Sequence, residues 1–132
     1  MADVITGKAI ARGVQQTPRK IGLVASLVRG RTVADALVIL EHTPKRAAKP
    51  VAKVIASASA NATNTFGAKE DTLVISSLQV TSGPRLKRFR PIARGSANPY
   101  IKRTAHIHVE VSGELKPKKK PAAKKADKEE TK

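Results

Sequence analysis

The densest cluster of residues able to bind a charged ligand is GPRLKRFRPIARGSANPYIKR, at positions 83–103, which we call the arm. The arm contains seven Lys or Arg residues and no acidic residue. Lysine and arginine bind phosphate groups, and the arginine fork does so with two hydrogen bonds at once. Because the arm lies between two strand-like segments, it is interpreted as a surface for a polyanion rather than as a solvated basic loop.

Other chemically active residue types form weaker combinations. His106 and His108 share one face of a predicted strand, but Glu110 is the nearest acid and cysteine is absent, so we expect no metal site. Asp35 and Glu41 are interpreted as a helix cap and a solvated charge. The sequence contains no glycine-rich phosphate loop, triad or carboxylate pair. We therefore predict a protein that is not an enzyme and that needs no cofactor.

Charge and hydropathy narrow the class of partner. Lys and Arg number 26 against 10 acids, which gives a formal net charge of +16, and nucleic acid is the commonest polyanionic partner. Aromatic residues make up 2% of the chain, too few for a sheet that reads bases mainly by stacking. No apolar run approaches the roughly 18 residues of a membrane span, so no membrane partner is expected. Asp3 stands where a signal peptide would be basic, so no targeting segment is expected.

Two helices are predicted between residues 17 and 42. The first begins at Thr17 and Pro18, a cap followed by proline at the first helical position, and ends before Gly30. Its predicted apolar face is Ile21, Val24, Leu27 and Val28. The second begins at Thr32, and Asp35 occupies the position of a capping box. Its apolar residues follow at helical spacing: Val33, Ala36, Leu37 and Leu40.

A third helix is predicted to begin at Thr43 and Pro44. Pro50 lies near its first turns, so we expect a mild irregularity rather than a break. Its apolar face consists of small and branched residues, which predicts close packing: Ala47, Val51, Val54, Ile55, Ala58 and Ala62. Nearly opposite lies the lysine stripe, which is either a solvated face or a phosphate contact: Lys45, Lys49 and Lys53.

Strands are predicted at 4–13, 72–80 and 101–111, which gives the order β–α–α–α–β–arm–β. This order predicts an α+β fold in which three helices pack on a small three-stranded antiparallel sheet, with the arm as a long basic β-hairpin. The domain is predicted to span 1–112, including the arm. Residues 113–132, rich in Lys, Ala and Pro, are predicted to form a disordered tail.

The predicted hairpin needs a partner. With its turn near 92–95, Pro84 is expected to face approximately Thr104, and the arm reaches roughly 30 Å beyond the body. A two-stranded ribbon alone in water is marginally stable, and like charges repel across it. We therefore expect the arm to become ordered inside folded nucleic acid.

Three long segments occur in the same order as in a known family. The segments are TPRKIGLVASLVRGRTVADALVILEHTPKRAAKPVAKVIASASANA, GPRLKRFRPIARGSA and IKRTAHIHVEV. Over about residues 4–111 they resemble the bacterial-type large-subunit ribosomal protein L-twenty-two family. The resemblance implies a structural protein of the large subunit that binds 23S-type rRNA, supports subunit assembly and lines the polypeptide exit tunnel with its hairpin. The implied partners are rRNA, neighbouring ribosomal proteins and the nascent polypeptide, and the implied location is the cytoplasmic ribosome.

The predicted site residues follow from charge and from this resemblance. The residues expected to bind rRNA are Lys8, Arg12, Arg19, Lys20, Arg29, Arg31, Lys45, Arg46, Lys49, Lys53, Arg85, Lys87, Arg88, Arg90, Arg94, Lys102, Arg103, Thr104 and His106. The resemblance implies a tunnel-lining tip made of Arg88, Phe89, Arg90, Pro91, Ile92, Ala93 and Arg94. Ile92 and Ser96 stand where the family usually has arginine, which is a departure at this tip.

Two other classes of protein compete with the ribosomal interpretation. The first is an architectural DNA-binding protein whose β-arms kink the minor groove. Such proteins build a dimer from their helices, whereas the alanine-rich faces here suit packing on the chain's own sheet. The second is a protein that coats anionic membranes, but the third helix has alanine where bulky apolar anchors would be needed.

Overall fold

The computed structural model describes residues 4–115, and every structural statement below concerns these residues. Its three strands form one antiparallel sheet in the order β1–β3–β2. The elements are β1 (Val4–Val14), α1 (Pro18–Val28), α2 (Val33–His42), α3 (Ala48–Phe66), a short 3-10 turn (Glu70–Thr72), β2 (Val74–Pro91), a second 3-10 turn (Ala93–Gly95) and β3 (Ala97–Glu114). The predicted α+β fold with a long β2–β3 hairpin is confirmed.

The sheet continues past the predicted boundary at residue 112. Gly113 and Glu114 belong to β3, and Leu115 forms a single bridge with Ala68. The rest of the predicted tail, from residue 116 onwards, lies outside the described residues.

Local capping signals explain where α2 begins and where α1 ends. The Thr32 hydroxyl accepts the Asp35 N–H at 3.2 Å and donates to the Asp35 carboxylate at 2.7 Å, as the predicted capping pair requires. Gly30 follows the end of α1 with φ +71°, a left-handed conformation that glycine adopts without a Cβ clash. Thr17 is the N-cap of α1, although its side chain makes no capping hydrogen bond.

The predicted start of α3 at Thr43 and Pro44 is wrong, because α3 begins at Ala48. Thr43 instead completes α2, where its N–H donates to the Leu40 carbonyl at 3.3 Å and its hydroxyl donates to the Ile39 carbonyl at 2.6 Å. Pro50 then lies in the first turn of α3. Helical N–H groups in the first turn have no intrahelical acceptor, so the missing N–H of Pro50 removes no hydrogen bond.

α1 and α3 bury their apolar faces against one side of the sheet, and α2 packs mainly on α3. All six residues predicted for the α3 face are buried. The α1 prediction was wrong at Leu27, which is 49% exposed, while Ala25 is fully buried. The i, i+3, i+4, i+7 series that starts at Ile21 selects Ala25 rather than Leu27, and the structure follows that series.

The small side chains of α3 let β1 approach the helix closely. A Cβ atom built on Gly7 would lie 2.7 Å from the Ala58 carbonyl oxygen and 2.7 Å from the Ala62 Cβ atom. At the next residue, the Asn61 side-chain amide donates to the Lys8 carbonyl at 2.9 Å. The expectation that the alanine-rich face packs closely is therefore confirmed, and no side chain fits at position 7.

Beyond the body, β2 and β3 continue as the arm. Seven consecutive residue pairs, from Arg85 opposite Arg103 to Pro91 opposite Ala97, form its ladder. At about 3.3 Å per residue the ladder spans about 23 Å. A tight turn closes it, in which the Ile92 N–H donates to the Ser96 carbonyl at 2.8 Å. All residues from 84 to 103 are exposed, so the arm buries none of its side chains in the body.

We expect the body to fold without the arm. Because Pro84 and Thr104 lie side by side, replacing residues 85–103 with Asn-Gly joins them by a two-residue turn that suits a hairpin. No core residue is removed. Urea unfolding followed by circular dichroism should show one cooperative transition with a midpoint close to that of the full chain. Loss of the cooperative transition would mean that the arm is part of the folding unit.

Candidate nucleic-acid interface

Basic side chains crowd both faces of the arm. Opposite residues of an antiparallel ladder point to the same face, so Arg85 and Arg103 meet on one face, and Lys102 meets Leu86 on the other. Directly opposed like charges destabilise a two-stranded ribbon, and the arm contains no acid to offset them. A surrounding anion would reverse the sign of this electrostatic contribution, so the arm is electrostatically suited to insertion among phosphates.

Specific contacts fix the base of the arm to the body. The Thr104 hydroxyl donates to the Pro84 carbonyl at 2.8 Å, and Thr104 is 5% exposed. A Cβ atom on Gly83 would come within 2.5 Å of that hydroxyl oxygen, so glycine allows the two strands to close here. The Lys102 ammonium also donates to the Gln15 side chain at 3.0 Å. The hydroxyl of Thr104 therefore has a structural partner, and its predicted contact with rRNA stays a prediction.

The sheet face opposite the helices is polar. It carries His106, His108 and Glu110, and the Lys8 ammonium pairs with the Glu110 carboxylate at 2.7 Å. The Gly13 N–H donates to His106 Nδ1 at 3.0 Å, which leaves His106 Nε2 as the nitrogen that carries the proton in the neutral ring. The Lys8–Glu110 pair is largely exposed and contributes little stability. Lys8 and His106 thus share a surface with hydrogen-bonding groups for a polar partner.

Two pairs of basic residues lie at the two ends of α1. Arg19 and Lys20 are exposed in its first turn, which contains no acid, although cations there oppose the helix dipole. At the other end, Arg29 Nε donates to the Leu78 carbonyl and Arg31 Nε to the Leu27 carbonyl, both at 2.9 Å. Bonds through Nε orient each guanidinium and leave its terminal NH2 groups for an anion. Because Arg19 and Lys20 oppose the helix dipole, they fit a binding surface better than a role in stabilising the helix.

The lysine stripe lies at the start of α3. Lys45, Lys49 and Lys53 are exposed, and so is Arg46. The first turn of α3 contains no acid. Cations at a helix N-terminus oppose the helix dipole, so the dipole does not explain why lysines stand there. The stripe borders an open groove of about 700 Å³ between α2 and α3, and apolar residues of both helices line it: Leu37, Leu40, Ala48 and Ala52. Both interpretations of the stripe, a solvated face and a phosphate contact, remain open at this point.

Among residues 4–115, no three histidine or acidic side chains come together as a metal site would require. None of the helices in this range has the length and apolar character needed to cross a membrane.

One feature of the arm was missed by the sequence analysis. Tyr100 lies opposite Arg88, and the guanidinium carbon of Arg90 lies 5.0 Å from the centre of the Tyr100 ring. This distance is within the range of a cation–π contact. The predicted pairing of Pro84 with Thr104 agrees with the observed register, but it was not extended along the arm to the diagonal neighbours of Tyr100.

A small α+β body with basic residues on several surfaces, and a long basic arm without acids, together define a nucleic-acid-binding protein. The family model of Ribosomal protein L22p/L17e matches residues 9–112, which is most of the chain. The chain belongs to this family. It is a structural protein of the large ribosomal subunit that binds rRNA and serves translation, and the resemblance predicted from the sequence is confirmed. The family match favours the ribosome over the competing DNA-bending and membrane-coating interpretations.

Proposed function

We propose that the arm inserts into 23S-type rRNA and that its tip lines the polypeptide exit tunnel of the bacterial-type, cytoplasmic ribosome. The observation that carries this proposal is the arm itself, whose residues are exposed, acid-free and extended over about 23 Å of ladder. An exposed ribbon with opposed like charges is stabilised when phosphates surround it, because each neutralised phosphate also releases counterions.

The body supplies separate anchoring surfaces. We assign the lysine stripe with Arg46, the four basic residues at the two ends of α1, and the group Lys8, Arg12 and His106 to contacts with rRNA. These surfaces lie on α3, on α1 and on the sheet, whereas the arm leaves the body from β2 and β3. A protein that holds rRNA segments at its body and another at its arm joins them, which accounts for the proposed support of subunit assembly.

The composition of the tip fits a position beside a moving peptide. Ile92 and Ala93 form the turn with Arg94, which has φ +58°, and Phe89 is exposed just before them. We expect such a mixture of exposed apolar, small and basic side chains to favour no single peptide sequence, so that nascent polypeptides of different sequence can pass. Neighbouring ribosomal proteins are the other expected partners.

A photo-crosslinking residue in place of Ile92 tests the position of the tip. In ribosomes that carry a stalled, radiolabelled nascent chain, irradiation should link the full-length protein to that chain. The same residue in place of Leu23, which is exposed on α1 far along the chain from the tip, is the matched control and should give no link to the nascent chain.

Two outcomes would contradict the tunnel proposal. The first is incorporation of both variants into ribosomes with no crosslink from position 92. The second is an equal yield of crosslinks from positions 92 and 23. Neither outcome would affect membership of the ribosomal family, because incorporation into the large subunit is measured separately by sedimentation.

A further inference from the structure

The contact between Arg90 and Tyr100 combines an aromatic ring with a guanidinium plane on one face of the arm. Arg90 lies over the ring at 5.0 Å from its centre, and Arg88 is directly opposite Tyr100 on the same face. Tyr100 keeps 40% of its surface exposed, although it is the one tyrosine in a chain with 2% aromatic residues. The arm thus presents an accessible ring with two cations next to it.

Stabilisation of the arm alone does not account for this arrangement. Arg90 and Arg88 are like charges on one face, next to Lys102, so the cluster repels itself while it contacts the ring. A β-branched residue at position 100 would suit a strand equally well without exposing a ring to water. Nucleic-acid-binding proteins use such groups together: the ring stacks on a base, and the guanidinium groups bind the phosphates beside it.

We propose that Tyr100 is a base-stacking residue, and that an unpaired base of rRNA lies against its ring while Arg90 and Arg88 contact the flanking phosphates. This inference deepens the proposed function and rests on the arm being inside rRNA. It assigns the two faces of the arm different tasks. The face with Arg85 and Arg103 contacts phosphates, whereas the Tyr100 face also holds a base.

Phe89 provides an internal comparison. It lies opposite Pro99 on the other face of the ladder and is 71% exposed. Among the described residues, the cation–π contact found is with Tyr100 and not with Phe89. Because Phe89 lies on the other face, a base that stacks on Tyr100 does not reach it. Phe89→Leu should therefore weaken binding less than Tyr100→Leu.

The intrinsic fluorescence of the full chain reports on this site directly. The sequence has one tyrosine and no tryptophan, so all tyrosine emission comes from Tyr100. Titration with a short oligoadenylate should quench this emission in step with binding, because a stacked base lies against the ring. An abasic oligonucleotide of equal length carries the same phosphates, and it should bind while leaving the emission nearly unchanged. Anisotropy of a dye on each oligonucleotide measures binding independently.

Substitutions at position 100 separate stacking from charge. Tyr100→Phe keeps the ring and should keep the affinity for oligoadenylate, whereas Tyr100→Leu should weaken it by about tenfold. Affinity for the abasic oligonucleotide should be the same for both variants, since neither changes the charge. Equal quenching by the two oligonucleotides, or an equal loss of affinity for both in Tyr100→Leu, would overturn the inference.

Failure of the proposed function would look different. If the arm does not enter rRNA, the chain in which Asn-Gly replaces residues 85–103 will bind large-subunit rRNA as tightly as the original chain. If only the stacking inference fails, that replacement will weaken binding, but Tyr100→Leu will bind large-subunit rRNA as tightly as Tyr100→Phe.

Discussion

Replacing four cations of the arm with glutamine is expected to weaken binding to large-subunit rRNA by about a thousandfold near 0.1 M salt. The substitutions are Arg85→Gln, Lys87→Gln, Arg94→Gln and Arg103→Gln. Each phosphate contact contributes about 0.9 to the slope of log affinity against log salt, so four contacts change that slope by about 3 to 4. None of the four side chains forms the contact with Tyr100, so the stacking site is kept.

The folded state should tolerate these four changes. Arg85 and Arg103 face each other across the ladder, and neutralising both removes a repulsion rather than an attraction. A matched variant carries the same four charge losses on the body, at the lysine stripe and Arg46. If the arm is the main phosphate contact, the arm variant loses more affinity and more salt slope than the body variant. Equal losses in both variants would mean that the charge acts without regard to position.

The body variant also decides between the two interpretations of the lysine stripe. If the stripe is a solvated face, its neutralisation will leave the salt slope unchanged. If the stripe contacts phosphates, as we propose, the slope will fall by a smaller amount than in the arm variant.

Gly7→Val is expected to lower the free energy of unfolding by about 3 kcal/mol. A Cβ atom at this position meets the Ala58 carbonyl oxygen and the Ala62 Cβ atom, both at 2.7 Å. Two of the atoms that a new side chain would meet belong to the backbone of α3, so relief requires β1 and α3 to separate. Denaturant unfolding of the full chain measures the change.

Gly22→Ala is the matched control for this substitution. Gly22 lies inside α1, and apart from its chain neighbours and the backbone of its own helix, a Cβ atom there would meet no atom within 4 Å. Alanine favours a helix over glycine by about 1 kcal/mol, so this variant should be slightly more stable than the original chain. If Gly7→Val unfolds at the same denaturant concentration as the original chain, the close contact between β1 and α3 is not a constraint in solution.

The order of elements and the arm were predictable because each depends on local sequence. Thr32 with Asp35 and the position of Gly30 are signals contained within a few residues, and both are found in the structure. The arm was identified from its charge and from the turn residues at its tip. Its hairpin follows from the two strand patterns on either side.

Features that depend on contacts distant in sequence were harder to predict. Thr43 followed by Pro44 is typical of the start of a helix, but Thr43 is the C-cap of α2. The same two residues fit the end of one helix and the start of the next, so the local sequence does not decide between them. The burial of Thr104 depends on Pro84, twenty residues earlier, and on the irregular pairing between Ser82 and Arg85. The contact of Arg90 with Tyr100 joins diagonal neighbours across the ladder, so it depends on the register that the turn sets and also on two side-chain rotamers that the strand patterns do not specify.

Crosslinking of the full chain in cells, followed by sequencing of the attached RNA, shows whether the protein binds large-subunit rRNA through both its body and its arm. We expect strong enrichment of large-subunit rRNA, with one group of crosslinks that disappears when residues 85–103 are replaced with Asn-Gly and another group that persists. The persistent group marks the body and the lost group marks the arm. Crosslinks to DNA across the chromosome without rRNA enrichment would contradict binding to rRNA, and an rRNA pattern that the replacement leaves unchanged would contradict insertion of the arm.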